Sequence, residues 1–127
     1  MTPHPAISAI GQIHINVRQL DRAVAFYRDT LGLPFLFQVP NMAFFQCGEV
    51  RLMLGVAEQP AFDHPASILY YRVEDIDPAY RTLVDRGVTS LHEPARTHET
   101  EDHVLWLAFL KDSEENTIAL MCERPKA

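Results

Sequence analysis

From Ile10 to Arg18 the side chains alternate, with Ile10, Gln12, His14 and Asn16 in one set of positions and Gly11, Ile13, Ile15 and Val17 in the other. A period of two marks a half-buried strand, and here the polar face carries a concentration of side chains able to do chemistry. After Arg18 the period changes. Leu20, Val24, Tyr27 and Leu31 recur at helical spacing, Asp21 stands where an N-cap belongs, and Gly32 offers the left-handed residue that ends a helix. A helix of about three turns is predicted. Pro34 and Pro40 interrupt, and the apolar runs Met42–Gln46 and Val50–Val56 flank Cys47–Glu49, which reads as a hairpin turn.

The same order then recurs. Ala57–Ala66, with Pro60 and Pro65, reads as a linker. Ile68–Val73 is the next predicted strand, Asp77 a cap before Pro78, and Tyr80, Leu83, Val84 and Gly87 a helix with its stop. Val88–Leu91, Val104–Leu110 and Thr117–Cys122 read as strands, with Lys111–Asn116 a polar turn. Setting Val17 over Val73, an offset of 56 (73 minus 17), also puts Leu20 over Ile76, Asp21 over Asp77 and Ala23 over Ala79. An internal repeat of that size means two similar supersecondary units. The chain reads as α+β, with βαβββ written twice: module one about 8–57, linker about 58–66, module two about 67–124.

At 127 residues the two units must share one core rather than form independent domains. The net charge of −6 opposes a phosphate backbone, and the basic residues are scattered singly, so nucleic acid is not an expected partner. No apolar run approaches the roughly 20 residues that cross a bilayer, and the start Met1–Pro5 lacks a basic and apolar leader pattern. No membrane partner and a cytoplasmic location are the expectations. Cys47 and Cys122 have no C-x-x-C spacing and sit in apolar runs, which reads as reduced, mostly buried thiols.

The pattern V-x-x-L-D-x-A-x-x-F-Y-x-x-x-L-G from Val17 to Gly32 resembles the vicinal oxygen chelate superfamily of glyoxalase I, bleomycin-resistance proteins and extradiol dioxygenases. The resemblance covers residues 8–124, with Phe26, Tyr27, Leu31 and Gly32 on its most diagnostic positions. It implies a fold in which each βαβββ unit curls into half of a cup around a shared pocket, often across a homodimer interface. Metal-dependent relatives place ligands on the pocket-facing strands, and the corresponding positions here are Gln12, Met53, Ile68 and Ala119. Glutamine serves in some glyoxalases, but a thioether and two hydrocarbons do not hold a hard cation. No metal and no other cofactor is therefore expected. A shift of two residues along the strands would offer His14 and Tyr70 in place of Gln12 and Ile68. The run Asp102–Leu110, together with Ala119–Met121, also resembles a bacterial subgroup that carries alanine at the last ligand position.

Several side chains are candidates for a pocket. His14 shares the face of Gln12 by strand parity and could serve as a hydrogen-bonding group or base. Tyr70 is its counterpart in the second unit. Asp102 and His103 could pair at a pocket mouth, and the polar run His98–His103 could form a lid or a solvated loop. Trp106, Phe45 and Met53 are candidate walls among Phe35, Phe37, Phe44, Met42 and Met121. Glu58, His64 and His92 read as loop residues without a role. The expected ligand-binding set is thus Gln12, His14, Phe45, Met53, Tyr70, Asp102, His103 and Trp106. Taken with the resemblance, this implies a metal-independent pocket for a partly apolar or aromatic metabolite or antibiotic. The alternative is an enzyme of glyoxalase, epimerase or dioxygenase type, with a rearranged metal site or with His14 or His103 doing acid–base work.

Overall fold

Two four-stranded mixed sheets, each with one helix on one face, make up the computed structural model, which describes residues 5–126. Residues 1–4, within the start read for a leader pattern, lie outside the described residues. The first sheet is built from β1 (Gln12–Asn16), β2 (Phe35–Val39), β3 (Met42–Cys47) and β4 (Val50–Gly55), in the order β1-β4-β3-β2. Its helix is α1 (Leu20–Ala25), which runs on into a π-helical turn, Phe26–Thr30. A short 3₁₀ turn at Pro60–Phe62 precedes the second unit. There β5 (Leu69–Arg72), β6 (Ser90–Glu99), β7 (His103–Lys111) and β8 (Thr117–Pro125) form the sheet β5-β8-β7-β6, covered by α2 (Ile76–Asp85).

The repeat is visible in the strand register. In each unit the first strand pairs in parallel with the last, so His14 lies beside Met53 and Tyr70 beside Ala119. Period-two patterning then sorts every strand into two faces. Ile13, Ile15 and Val17, with Ala43, Phe45, Leu52 and Leu54, pack under α1 with Ala23, Val24 and Tyr27. Ala108, Leu110, Ile118, Leu120 and Cys122 pack under α2 with Ile76 and Leu83. The two helix-side cores are joined, because Leu69 and Tyr71 of β5 reach the first and Phe26 and Leu31 reach the second. Among the described residues, the opposite face of each sheet carries no helix of its own.

Both helices begin upstream of the predicted caps. Gln19 and Asp75 are the cap residues, while Asp21 and Asp77 lie in the first turn. The cause at α1 is tertiary. Glu114, from the turn between β7 and β8, accepts the backbone N–H groups of Arg18 and Gln19 at 2.8 Å each and the Arg22 guanidinium Nε at 2.7 Å. A carboxylate from the other module thus anchors the backbone at the entry to α1 from outside, taking up the Gln19 amide that the helix leaves unpaired. Burial would raise this carboxyl, but the hydrogen bonds from Arg22, the Gln19 and Arg18 amides and Ser113 outweigh that and hold its pKa down to about 2.

Asp112, also buried, completes the joint. It accepts the Tyr27 hydroxyl at 2.7 Å, the backbone N–H groups of Glu114 and Asn116 at 2.8 Å, and the Asn116 amide at 3.0 Å. That amide also donates to the Asn16 carbonyl at 3.0 Å, tying the β7–β8 turn to the end of β1.

Candidate functional site

The open face of the first sheet gathers the polar side of β1. Gln12, His14 and Asn16 lie beside Arg51, Met53 and Gly55 of β4, which in turn face Gln46, Phe44 and Met42 of β3. Phe37 of β2 stacks on Phe44 with ring centroids 4.5 Å apart and planes 24° from parallel. The Arg51 guanidinium lies 5.6 Å from the Phe44 centroid, and its Nε donates to Gln12 Oε1 at 2.9 Å. Two aromatic rings and a cation therefore form a layered platform, a suitable surface for a planar molecule.

His14 sits at the other end of this platform, over the backbone of Gly55. A Cβ built on Gly55 would lie 2.7 Å from His14 Nε2, so the missing side chain is what gives the imidazole its place. Beside it is a cavity of about 240 Å³ with Met42, Met53, Val56 and Ala57 in its walls and Asn41 and Glu58 at its edge. Asn41 donates to Glu58 at 3.2 Å. All of the lining belongs to the first unit and the segment just after it. Glu58, read from the sequence as a plain loop residue, borders the site, as do Asn41 and Gln59.

The four positions that correspond by resemblance to the ligands of metal-dependent proteins carry Gln12, Met53, Ile68 and Ala119, a donor set that does not suit a hard cation. Gln12 offers one oxygen, already engaged by the Arg51 guanidinium, and its amide nitrogen lies 3.7 Å from Met53 Sδ. Ile68 and Ala119 are hydrocarbon, and Ala119 is fully buried. A fixed positive charge bonded to the single oxygen donor opposes a second cation there. Among the described residues, no group of three His, Cys, Asp or Glu side chains is placed to hold a metal ion.

The second sheet has an open face of its own. Tyr70 is 48% exposed and meets Phe109 edge-on at 6.0 Å, and Ile68 and Leu91 are 45% and 47% exposed. Arg72 and Glu123 form a loose pair at 3.8 Å, and with His103, Val73 and Glu74 they border a wide, shallow cavity. His103 therefore lies at the end of the sheet remote from Tyr70's ring contact. The expected Asp102–His103 pairing does not form. His103 is bound through its backbone, with Thr100 N–H donating to its carbonyl at 2.8 Å and its own N–H donating to Thr100 Oγ1 at 3.0 Å, while the Asp102 carbonyl accepts Lys126 N–H. His98 and Glu99 belong to β6 rather than to a lid, and Thr100–Asp102 is the tip of the β6–β7 hairpin.

Two candidate walls face the wrong way for a pocket on either open face. Phe45 is fully buried in the first helix-side core, against Tyr27 and Phe35. Trp106 packs against the second helix-side core, with the Arg124 guanidinium 5.0 Å from its ring. In both strands the neighbouring positions are equally apolar, so alternation alone does not tell the inner from the outer face. Arg51 and Gly55 were missed in the sequence for the opposite reason. Each is unremarkable until the β1–β4 register sets it beside Gln12 and Asn16.

The comparisons with known proteins agree with this geometry. The model of the Glyoxalase/Bleomycin resistance protein/Dioxygenase superfamily matches residues 9–120. The uncharacterized protein YraH of Bacillus subtilis (strain 168) is 28% identical over an alignment covering 86% of this chain and 94% of that protein. Among solved structures, TnmS3, an antibiotic binding protein from Streptomyces sp. CB03234, superposes with a TM-score of 0.75 at 24% identity, covering 95% of this chain and 100% of that one. Lactoylglutathione lyase from Agrobacterium tumefaciens gives a TM-score of 0.72 at 23% identity, covering 91% and 94%. At such identities the two structures establish shared architecture, and the matched family model covers most of the chain. The chain belongs to the Glyoxalase/Bleomycin resistance protein/Dioxygenase superfamily.

Proposed function

We propose that this protein is a metal-independent binder of a partly apolar or aromatic small molecule, held on the open face around His14. The observation that carries the reading is the Gln12–Arg51 bond, which puts a guanidinium on the one inherited donor. The Phe37–Phe44–Arg51 platform suits the flat part of such a ligand, Met42 and Met53 supply adaptable walls, and His14 and Gln12 supply polar contacts. A relative of the same fold is an antibiotic binding protein and another a lyase, so the fold alone does not choose the chemistry. The donor set favours binding over metal-assisted proton transfer.

The pocket is completed, in this reading, by the second open face of a partner copy. Each chain joins its two units through the helix-side cores and leaves Phe37, Ile68, Tyr70 and Leu91 substantially exposed. Two-fold pairing of such faces covers them reciprocally and adds Tyr70 and, at the rim, Asp102 and His103 to the cup. The test is a thermal-shift screen of bleomycin, planar aromatic antibiotics and aromatic metabolites in the presence of a chelator. Compounds that raise the melting temperature of the wild-type protein should bind His14→Ala up to roughly tenfold more weakly. Turnover of the methylglyoxal–glutathione hemithioacetal that disappears in His14→Ala would overturn the reading.

A further inference from the structure

A second cavity lies on the helix side of the sheets, away from both open faces. It has a volume of about 320 Å³ and sits where the end of the π-helical turn, β5 and α2 meet. That size falls at the lower end of the roughly 300–1,000 Å³ range of small-molecule pockets, and junctions between structural units are common places for them. Leu31, Leu33, Val73, Leu83 and Leu120 give it an aliphatic wall.

Its charge is one-sided. Among the described residues no aspartate or glutamate lines it, although acidic residues outnumber basic ones 17 to 11 in the chain. Arg86, which follows α2, does line it, and donates from one Nη to the Thr30 carbonyl at 2.8 Å. That contact fixes the guanidinium at the edge and leaves its other donors available. Arg72 also contributes to the lining, but by strand parity its side chain belongs to the open face, where it pairs with Glu123. An apolar chamber with one anchored guanidinium and no opposing carboxylate selects an amphipathic anion.

We propose that this inter-module cavity binds a small carboxylic acid with an aliphatic or aryl body, its carboxylate on Arg86 and its body among the leucines. The site is separate from the one around His14 and does not depend on the function assigned there. Cys47 gives it a built-in reporter, since its thiol lines the cavity while Cys122 is buried under the second helix. Burial pushes the Cys47 thiol up from its ordinary pKa, so labelling is best followed at mildly alkaline pH.

The experiment uses the full chain and four probes: octanoate, phenylacetate, octanol and inorganic phosphate. Maleimide labelling of Cys47 is timed with each, with Cys47→Ala identifying the labelled site, and amide chemical shifts are recorded in parallel. Octanoate or phenylacetate should slow labelling at least threefold and shift the amides of Leu31, Val73 and Leu83, leaving those of His14 and Met53 in place. Arg86→Met should weaken octanoate roughly tenfold or more, while Arg86→Lys retains part of the affinity and octanol binds both variants equally. Equal binding of octanol and octanoate to the wild type would overturn the anion site. Protection by phosphate alone would overturn the apolar one. Absence of protection at millimolar acid, or shifts confined to the open face, would overturn the proposal as a whole.

Discussion

The imidazole of His14 occupies the space in which a side chain at Gly55 would begin, with Nε2 2.7 Å from a Cβ built there. The contact crosses the parallel pair β1–β4 diagonally, since the register partner of Gly55 is Asn16, two residues beyond His14 on the same face. An added methyl at Gly55 meets the far end of a side chain that can rotate, so the ring moves and the strand stays. Gly55→Ala is therefore expected to change stability by no more than about 1 kcal/mol while shifting the His14 ring resonances. Its effect on affinity for any compound found in the screen should match that of His14→Ala. Melting curves and a histidine-selective NMR spectrum check this. A variant with normal ring shifts and reduced affinity would contradict it.

The Glu114 carboxylate links acid stability to the joint between the two units. Its folded-state pKa, about 2, lies below the ordinary 4.5. A depressed carboxylate contributes stability that is present above the unfolded value and is lost as pH falls through the folded one. The wild type should therefore lose stability between about pH 4.5 and pH 2, with this group contributing to the slope. Glu114→Gln should remove that part of the slope and cost about 2 kcal/mol at neutral pH, because the Arg18 and Gln19 amides lose a charged acceptor. Urea unfolding at a series of pH values tests both statements. A parallel pair of curves would show that the carboxylate has no part in the acid response.

Pairing of two copies is expected to cover the open faces. Light scattering should give a particle of twice the 14.5 kDa chain mass. Ile68→Glu places a charge on an exposed apolar position of the second face and should give monomers of unchanged helix and strand content. Those monomers should also lose affinity for any ligand of the His14 face, since half of the cup then goes missing. A monomeric wild type would contradict the paired pocket.

Much of the architecture is legible in the chain because alternation, helix stops and the 56-residue repeat are local signals. The order βαβββ twice follows from them, as does the shared face of Gln12 and His14, while Met53 and Tyr70 are assigned to the pocket side by the family resemblance. Long-range groups hide the rest. Glu114 anchors the entry to α1 from more than 90 residues away, where local sequence points to Asp21 as the cap, and Asp21 is an ordinary first-turn residue. Edge strand β6 is polar because most of it faces solvent, and for that reason its His98–Glu99 end read as loop or lid. Phe45 and Trp106 sit in strands apolar on both faces, where nothing in the sequence breaks the tie. Gly55 and Arg51 acquire their meaning from register, which a single strand does not reveal.

The proposal rests on a guanidinium bonded to Gln12, the one oxygen donor among the four positions that correspond by resemblance to metal ligands. Its most direct test is the metal content of the protein after incubation with nickel, zinc, iron or manganese and removal of free ions, measured by mass spectrometry. Arg51 on Gln12, thioether at Met53, and hydrocarbon at Ile68 and Ala119 predict no stoichiometric ion with any of the four metals. One tightly held ion per chain, lost in Gln12→Ala or His14→Ala, would contradict the account and return the open face to metal-assisted chemistry.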